Sequence, residues 1–260
     1  MEAERHEPAS PLDAAIQSRD RDMPQMVRAA LAEGRAQLAF QPVVAASNTG
    51  KIAFHEAFIR LLDEAGRVLP AAKFLPHVED TTIGREIDAL SMKLGMMKLA
   101  QHPQLRLAIN MSARSIADGQ WRDELMRGLA RIDGLGQRLI LEITEESAMM
   151  LPDVVTRFMA ELQPKGVHFA LDDFGAGQIS FSNLKDFLFD LAKVDRVFVS
   201  GIENSPDNQV IAEALVTVAH QFEMYVVAEG VETAKEAAHM TRLGADCLQG
   251  WHFGVPKPGL

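Results

Sequence analysis

Acidic residues recur at the ends of short apolar runs in this chain: Glu56 in FHEAFIR, Glu142 in LILEI, Asp172 and Asp173 in VHFALDD, and Glu229 in MYVVAE. An ionised carboxylate in apolar surroundings is costly unless a positive group compensates it. Asn110, Lys193 and Gln249 end or interrupt three further apolar runs, and Glu145 and Glu232 stand one loop step beyond Glu142 and Glu229. Against these acids, the cations expected at the same end of the runs are Lys193 and Arg60. Two carboxylates about 5 Å apart repel by roughly 3 kcal/mol even at an effective dielectric of about 20. A converging set of them therefore requires cations. Oxygen donors with one amide suit hard ions, Mg²⁺ or Mn²⁺, better than zinc or copper. A pair of such ions bridged by an aspartate has in-line displacement at phosphorus as its usual chemistry.

Each motif alone has a plainer explanation. T-E-E-S at 144–147 and A-E-G-V-E at 228–232 could cap helices, and Asp172-Asp173-Phe174-Gly175 could be a turn. Coincidence argues otherwise, because strand after strand would have to carry a polar residue at the same end.

The elements that would position these residues follow from the pattern. Candidate strands lie at 37–43, 52–60, 105–110, 138–143, 167–172, 190–194, 224–229 and 246–249. Helical patterns fall between them at 73–100, 121–131, 152–163, 181–188, 207–222 and 233–243, after a first helix over Met23–Ala32 that Gly34 stops. The connection from Ala45 to Lys51 is too short for a crossover helix and carries the turn signal Asn48-Thr49-Gly50. The first two strands should therefore form an antiparallel hairpin, with the rest running parallel through βα units. That order suggests an α/β fold, a TIM-like (β/α)8 barrel with one antiparallel strand. A doubly wound sheet is the runner-up, weakened by the lack of a Gly-rich loop after the first strand.

Residues two apart on a strand share a face. Two positions before the polar residues stand Phe54, Ala108, Ile140, Ala170, Leu191, Val227 and Cys247, all apolar. The expected barrel has an apolar layer low in its lumen and a polar rim above, with Cys247 as a core thiol. Residues 1–22 read as a flexible leader and 23–260 as a single barrel domain.

The 260-residue chain has a formal net charge of −10, which disfavours nucleic-acid polymers and anionic membranes as partners. Its single cysteine and scattered histidines give no support to a disulfide framework or a zinc site. The N-terminus lacks a signal-peptide pattern and no apolar run is long enough to cross a bilayer, so a cytoplasmic location is expected.

At FQPVV (40–44), EAFIR (56–60), INMSARS (109–115), LEITEES (141–147), LDDFGAG (171–177), AKVDRVFV (192–199), VVAEGVET (226–233) and LQGWHFGVPKP (248–258) the chain resembles the EAL-domain phosphodiesterases that hydrolyse cyclic di-GMP. The resemblance covers about residues 36–258. It implies that Glu56, Asn110, Glu142 and Asp172 ligate one metal, and that Asp172, Asp173 and Glu229 ligate a second. Lys193 would orient the attacking water, with Glu229 assisting its deprotonation and Glu56 and Glu145 among the catalytic groups. Glu145 and Glu232 would steady the loop after the fifth strand. Gln41, Phe58, Arg60 and Gln249 would lie against the substrate. The implied reaction is conversion of cyclic di-GMP to linear pGpG with Mg²⁺ or Mn²⁺, two ions per site. A homodimer and a regulatory protein partner are further expectations. The chain departs from the family pattern at Phe58, where the motif has Leu, and at Gln178 and Ile179, where the loop usually reads Tyr and Ser. Those departures leave open a receptor that binds cyclic di-GMP without useful turnover and acts through a protein partner.

Overall fold

The structure, a computed structural model, describes residues 11–177 and 184–260, with side chains from Asp22 onward. Contacts divide the chain into two compact units, where the sequence predicts one domain over 23–260.

The larger unit, Leu38–Phe58 with Asp88–Leu260, contains the barrel. Its strands are β1 (Ala36–Ala45), the first part of β2 (Asn48–Leu62), β4 (Leu107–Asn110), β5 (Leu139–Thr144), β6 (His168–Phe174), β7 (Leu191–Val194), β8 (Tyr225–Ala228) and β9 (Cys247–Gln249). From β2 through β4 to β9 every neighbouring pair is parallel, and β1 pairs antiparallel with β9 while also pairing with β2. The ring therefore closes with one reversed strand. The reversing turn is Ala46-Ser47, earlier than the predicted Asn48–Gly50, which instead starts β2 with the Gly50 N–H donating to Asn48 Oδ1 (3.2 Å).

The predicted apolar layer is present. Val43, Phe54, Ala108, Ile140, Ala170, Leu191 and Val227 form one buried cluster inside the barrel, with Cys247 packed against it. Cys247 is half-buried, and burial followed by the nearby Asp246 charge raises its thiol to about 11, which makes it a poor nucleophile. Val43 joins the layer from the reversed strand. Because β1 runs the other way, the residue above it at the C-terminal mouth is the one two positions earlier, Gln41.

The smaller unit comprises Met1–Gln37 and Ile59–Ile87. Its first helix spans Pro11–Ala32, so the predicted leader over 1–22 is already helical from Pro11, among residues mostly compatible with a helix. Residues 1–10 lie outside the described residues. The end of β2 pairs antiparallel with a short strand that was not predicted, β3 (Val68–Pro70). The helix predicted over 73–100 is two helices, Ala71–Val78 and Thr82–Gln101. They break where Thr81 Oγ1 donates to Val78 O (2.7 Å) and accepts from the Ile83 N–H (3.1 Å). The helix predicted over 181–188 falls partly outside the described residues.

Candidate metal centre at the barrel mouth

One step above the apolar layer, each strand delivers a polar side chain. The register aligns Asn110 with Glu142, and Glu56, Glu142 and Lys193 stand two residues beyond Phe54, Ile140 and Leu191 on their own strands. Lys193 is 1% exposed, and its ammonium is the cation at the centre of the cluster. Its Nζ lies 2.7 Å from Glu229 Oε1, 3.0 Å from Glu142 Oε2, 3.1 Å from Glu56 Oε2 and 3.1 Å from Asp172 Oδ1. Asn110 Nδ2 donates to Glu56 Oε1 (2.8 Å), and Gln249 Nε2 donates to Glu56 Oε2 (2.7 Å). Gln249 Nε2 also reaches Gln41 Oε1 (3.2 Å), whose own amide donates to the Gly254 carbonyl (2.9 Å). Glu56, buried in the middle of an apolar strand, thus accepts from three different strands of the barrel.

Consecutive residues on a strand face opposite ways, yet Asp172 and Asp173 both reach the mouth. The β6–β7 register shifts between Leu171 and Phe174, and Asp173 adopts a left-handed backbone with φ 58°. Such a bulge re-aims a side chain that regular pleating would send elsewhere, and aspartate tolerates that conformation better than most residues. Oxygens of Asp172, Asp173 and Glu229 consequently lie within 4.8 Å of one another.

Charge crowding sets the proton affinities. Burial and then the Glu56 charge push Glu142 well above the usual carboxylate range. Burial, followed by Asp172, raises Glu229 to about 8, and the same two causes raise Asp173 to about 6. Burial also acts to raise Glu56, but Lys193 together with the Gln249 and Asn110 hydrogen bonds outweighs it and holds Glu56 low. For Lys193, burial opposes the charge, and the surrounding carboxylates more than reverse that. One ammonium among this many acids leaves negative charge unbalanced. Glu142 Oε1 and Gln249 Oε1 are buried with no hydrogen-bond partner among the described residues. Unpaired buried acceptors and an all-oxygen donor set fit a hard divalent cation.

Supporting contacts separate the remaining candidates. Thr144 caps the helix Glu145–Met150 by accepting from Ser147 N–H (3.2 Å), as the T-E-E-S pattern suggests. Glu145 has a further role: it is buried and accepts from the Gly175 N–H (2.8 Å), tying down the loop after β6. Gly177 lacks a side chain for a packing reason, since a Cβ there would fall 2.2 Å from Glu145 Oε2. The loop that Glu232 is expected to steady runs on into residues 178–183, which lie outside the described residues. Glu232 is exposed, and the carboxylate organising the turn after β8 is Glu236, which accepts from the N–H groups of Glu232 (2.7 Å), Thr233 (2.8 Å) and Gly201 (2.8 Å). The capping-box spacing Thr233…Glu236 was the available signal for it. Asp88 was also missed; it accepts from Ser112 N–H (2.9 Å) and Ser115 Oγ–H (2.6 Å), steadying the loop that follows Asn110. Phe58 is half-buried two residues beyond Glu56 on β2. Arg60 lies in the smaller unit, where its guanidinium donates to the Ile59 carbonyl (3.0 Å). Gln178 and Ile179 lie outside the described residues.

A closed eight-stranded barrel with one reversed strand defines a TIM-like barrel, and the carboxylate cluster at its C-terminal mouth is one that could bind metal. The chain belongs to the EAL domain family, whose pattern it matches over residues 24–256. It is 31% identical over 237 residues to the bifunctional diguanylate cyclase/cyclic di-GMP phosphodiesterase MucR of Pseudomonas aeruginosa, covering 89% of this chain and 34% of the relative. It is 30% identical over 241 residues to the cyclic di-GMP phosphodiesterase NbdA of the same organism, covering 91% of this chain and 31% of the relative. The chain thus spans about a third of the length of these curated relatives. The solved structure of the PaMucR phosphodiesterase in complex with c-di-GMP superposes with a TM-score of 0.80 at 31% identity, covering 92% of this chain and 98% of that one.

Proposed function

We propose that the chain is a metal-dependent phosphodiesterase that opens cyclic di-GMP to linear 5′-pGpG. The observation that carries the reading is the convergence of Glu56, Glu142, Asp172 and Glu229 on Lys193, with Asp173 drawn in by the β6 bulge. The relatives' names supply the substrate.

Glu56, Asn110, Glu142 and Asp172 would hold one Mg²⁺ or Mn²⁺, and Asp172, Asp173 and Glu229 a second. Such ions, when bound, draw charge from the phosphate and lower the proton affinity of water. The remaining work falls to the chain's own groups. With those carboxylates engaged by cations, the Lys193 N–H groups would be free to orient the attacking water. Glu229, whose Oε1 lies 2.7 Å from Lys193 Nζ, is the carboxylate placed to assist deprotonation of that water. Glu145 holds the Gly175–Gly177 loop so that Asp172 and Asp173 keep their positions. Gln41, Phe58 and Gln249 line the mouth toward the dinucleotide, and the leaving group is a ribose 3′ oxygen. The reading includes a cytoplasmic homodimer with a regulatory protein partner. Among the described residues no helix is long and apolar enough to cross a membrane. The receptor alternative is disfavoured by the complete donor set.

The test is a turnover assay with Mg²⁺ or Mn²⁺ paired with calorimetric binding of cyclic di-GMP. Wild-type protein should release pGpG. Glu56→Ala should lose turnover by more than the roughly 10–100-fold that removal of a supporting partner costs at a metal site. Tight binding with no product under either metal would replace the enzyme reading with the receptor.

A further inference from the structure

The opposite end of the same barrel holds a second cavity. Its volume is about 510 Å³, within the range of small-molecule sites. Its floor is the underside of the apolar layer, Phe54, Ile140 and Leu191. Its walls come from residues that lead into β7 and β8: Phe187 and Phe189, whose ring centroids are 5.5 Å apart, and Phe222 and Tyr225. Tyr225 is 65% exposed and Leu188 beside it in the lining is 41% exposed, so this aromatic surface is not buried by the described chain.

The polar groups of the lining are not equally available. Asp190 is engaged, accepting from the Phe169 N–H (2.8 Å) and lying 3.3 Å from His168 Nδ1. Arg138 is engaged as well, with Nη1 donating to the carbonyls of Leu99 (2.9 Å) and His102 (3.2 Å). Gln163 donates to Leu188 O (2.8 Å). Glu223 stands on the Phe222 side with a left-handed backbone, φ 61°. Arg106 and Glu223 differ: among the described residues neither of these exposed charged side chains has a hydrogen bond or an ion pair. A fork of N–H donors without a partner at the edge of an aromatic-walled cavity matches a ligand with a flat apolar body and an anionic arm.

We propose that this N-terminal cavity is a second ligand site, taking a small planar aromatic molecule that carries a carboxylate or phosphate, with the ring between the Phe187/Phe189 and Phe222/Tyr225 walls and the anion on Arg106. The site is independent of the phosphodiesterase reading, since none of its lining residues belongs to the metal centre. An aromatic acid and a mononucleotide share this chemistry, and the probes separate them.

The experiment titrates the full chain, by calorimetry and ligand-observed NMR, with 1-naphthoate, with its neutral analogue 1-naphthamide, and with guanosine 5′-monophosphate. At least one anionic probe should bind, the amide should bind more weakly than naphthoate, and Arg106→Gln should weaken the anionic probe about tenfold, the worth of one charge-assisted contact. Tyr225→Ala should weaken both naphthyl probes, since it removes a wall and leaves the charge. Naphthoate binding alone would identify an aromatic-acid site, and monophosphate binding alone a nucleotide site. Failure of both anions to bind at millimolar concentration, equal affinity of naphthoate and naphthamide, or an Arg106→Gln protein that is folded by circular dichroism and binds as tightly as wild type would each overturn the proposal. Binding is read without any turnover, so loss of the enzymatic reading would leave this result intact.

Discussion

The two ends of the barrel are built from the same strands and separated by one layer of side chains, yet their chemistry is opposite. At the C-terminal mouth, residues that end or follow strands crowd acids around Lys193, and proton affinities move far from their ordinary values. At the N-terminal end, residues that precede strands supply aromatic rings, two arginines and an aspartate already satisfied by backbone and histidine. At the mouth the acids outnumber the one lysine among them. At the base, Arg106 and Glu223 are the charged lining residues without a side-chain partner among the described residues, and both are exposed. Unrelieved charge, rather than concavity, is what distinguishes a site prepared for metal from one prepared for a flat organic ligand.

The sharpest way to break that contrast is to remove the cation at the mouth. Lys193→Met leaves several buried carboxylates facing one another, and in chelator at pH 7 it should cost about 3–5 kcal/mol of stability. Thermal denaturation should show Mn²⁺ recovering much of that loss. A variant as stable as wild type in chelator would mean that the acids are not strained.

Titrating the mouth is the second route. Glu229 at about 8 and Asp173 at about 6 hold protons in the folded chain at pH values where unfolded carboxyls have lost them. Both pKa values are raised, so their contribution to metal-free stability is fullest below the unfolded carboxylate range and is lost as pH rises through about 6 and then 8. A bound cation displaces the protons. Its affinity should therefore climb between pH 6 and 8, by up to about tenfold per unit for each proton released. Calorimetry in buffers of different ionisation enthalpy would count them; flat affinity across that window would contradict the crowding.

Arg138→Ala probes the other end. It frees the carbonyls of Leu99, His102 and Leu105 and should lower stability by about 1–3 kcal/mol. Unlike Lys193→Met, it should show no selective recovery by Mn²⁺. The mildest change is Gly177→Ala, which forces buried Glu145 away from the loop it holds and should weaken cation binding about tenfold, with a smaller loss of melting temperature than Lys193→Met.

Much of the mouth was readable in advance because pleating is periodic. Once 52–60 and 138–143 are strands, Phe54 and Glu56 must share a face, as must Ile140 and Glu142. The eight barrel strands appear within a few residues of their predicted bounds. Departures arise where local pattern underdetermines backbone geometry. The hairpin turns at Ala46-Ser47 although Asn48-Thr49-Gly50 has the stronger turn chemistry, because pairing on both sides of β1 decides where the chain reverses. Glu232 and Glu236 have the same charge and nearly the same position, and the helix that starts at Ala234 turns only Glu236 inward onto three backbone N–H groups.

The sequence by itself determined the alternation of elements, the apolar layer and the list of acids above it, because these depend only on residue type and a two-residue period. Tertiary structure alone decided that Asp173 joins Asp172 through a bulge, that reversed β1 brings Gln41 to Gln249, and that one lysine answers to acids from four strands. It alone assembled the N-terminal cavity, whose walls are drawn from loops far apart in the chain. No period links those residues; closing the ring of strands is what brings them together.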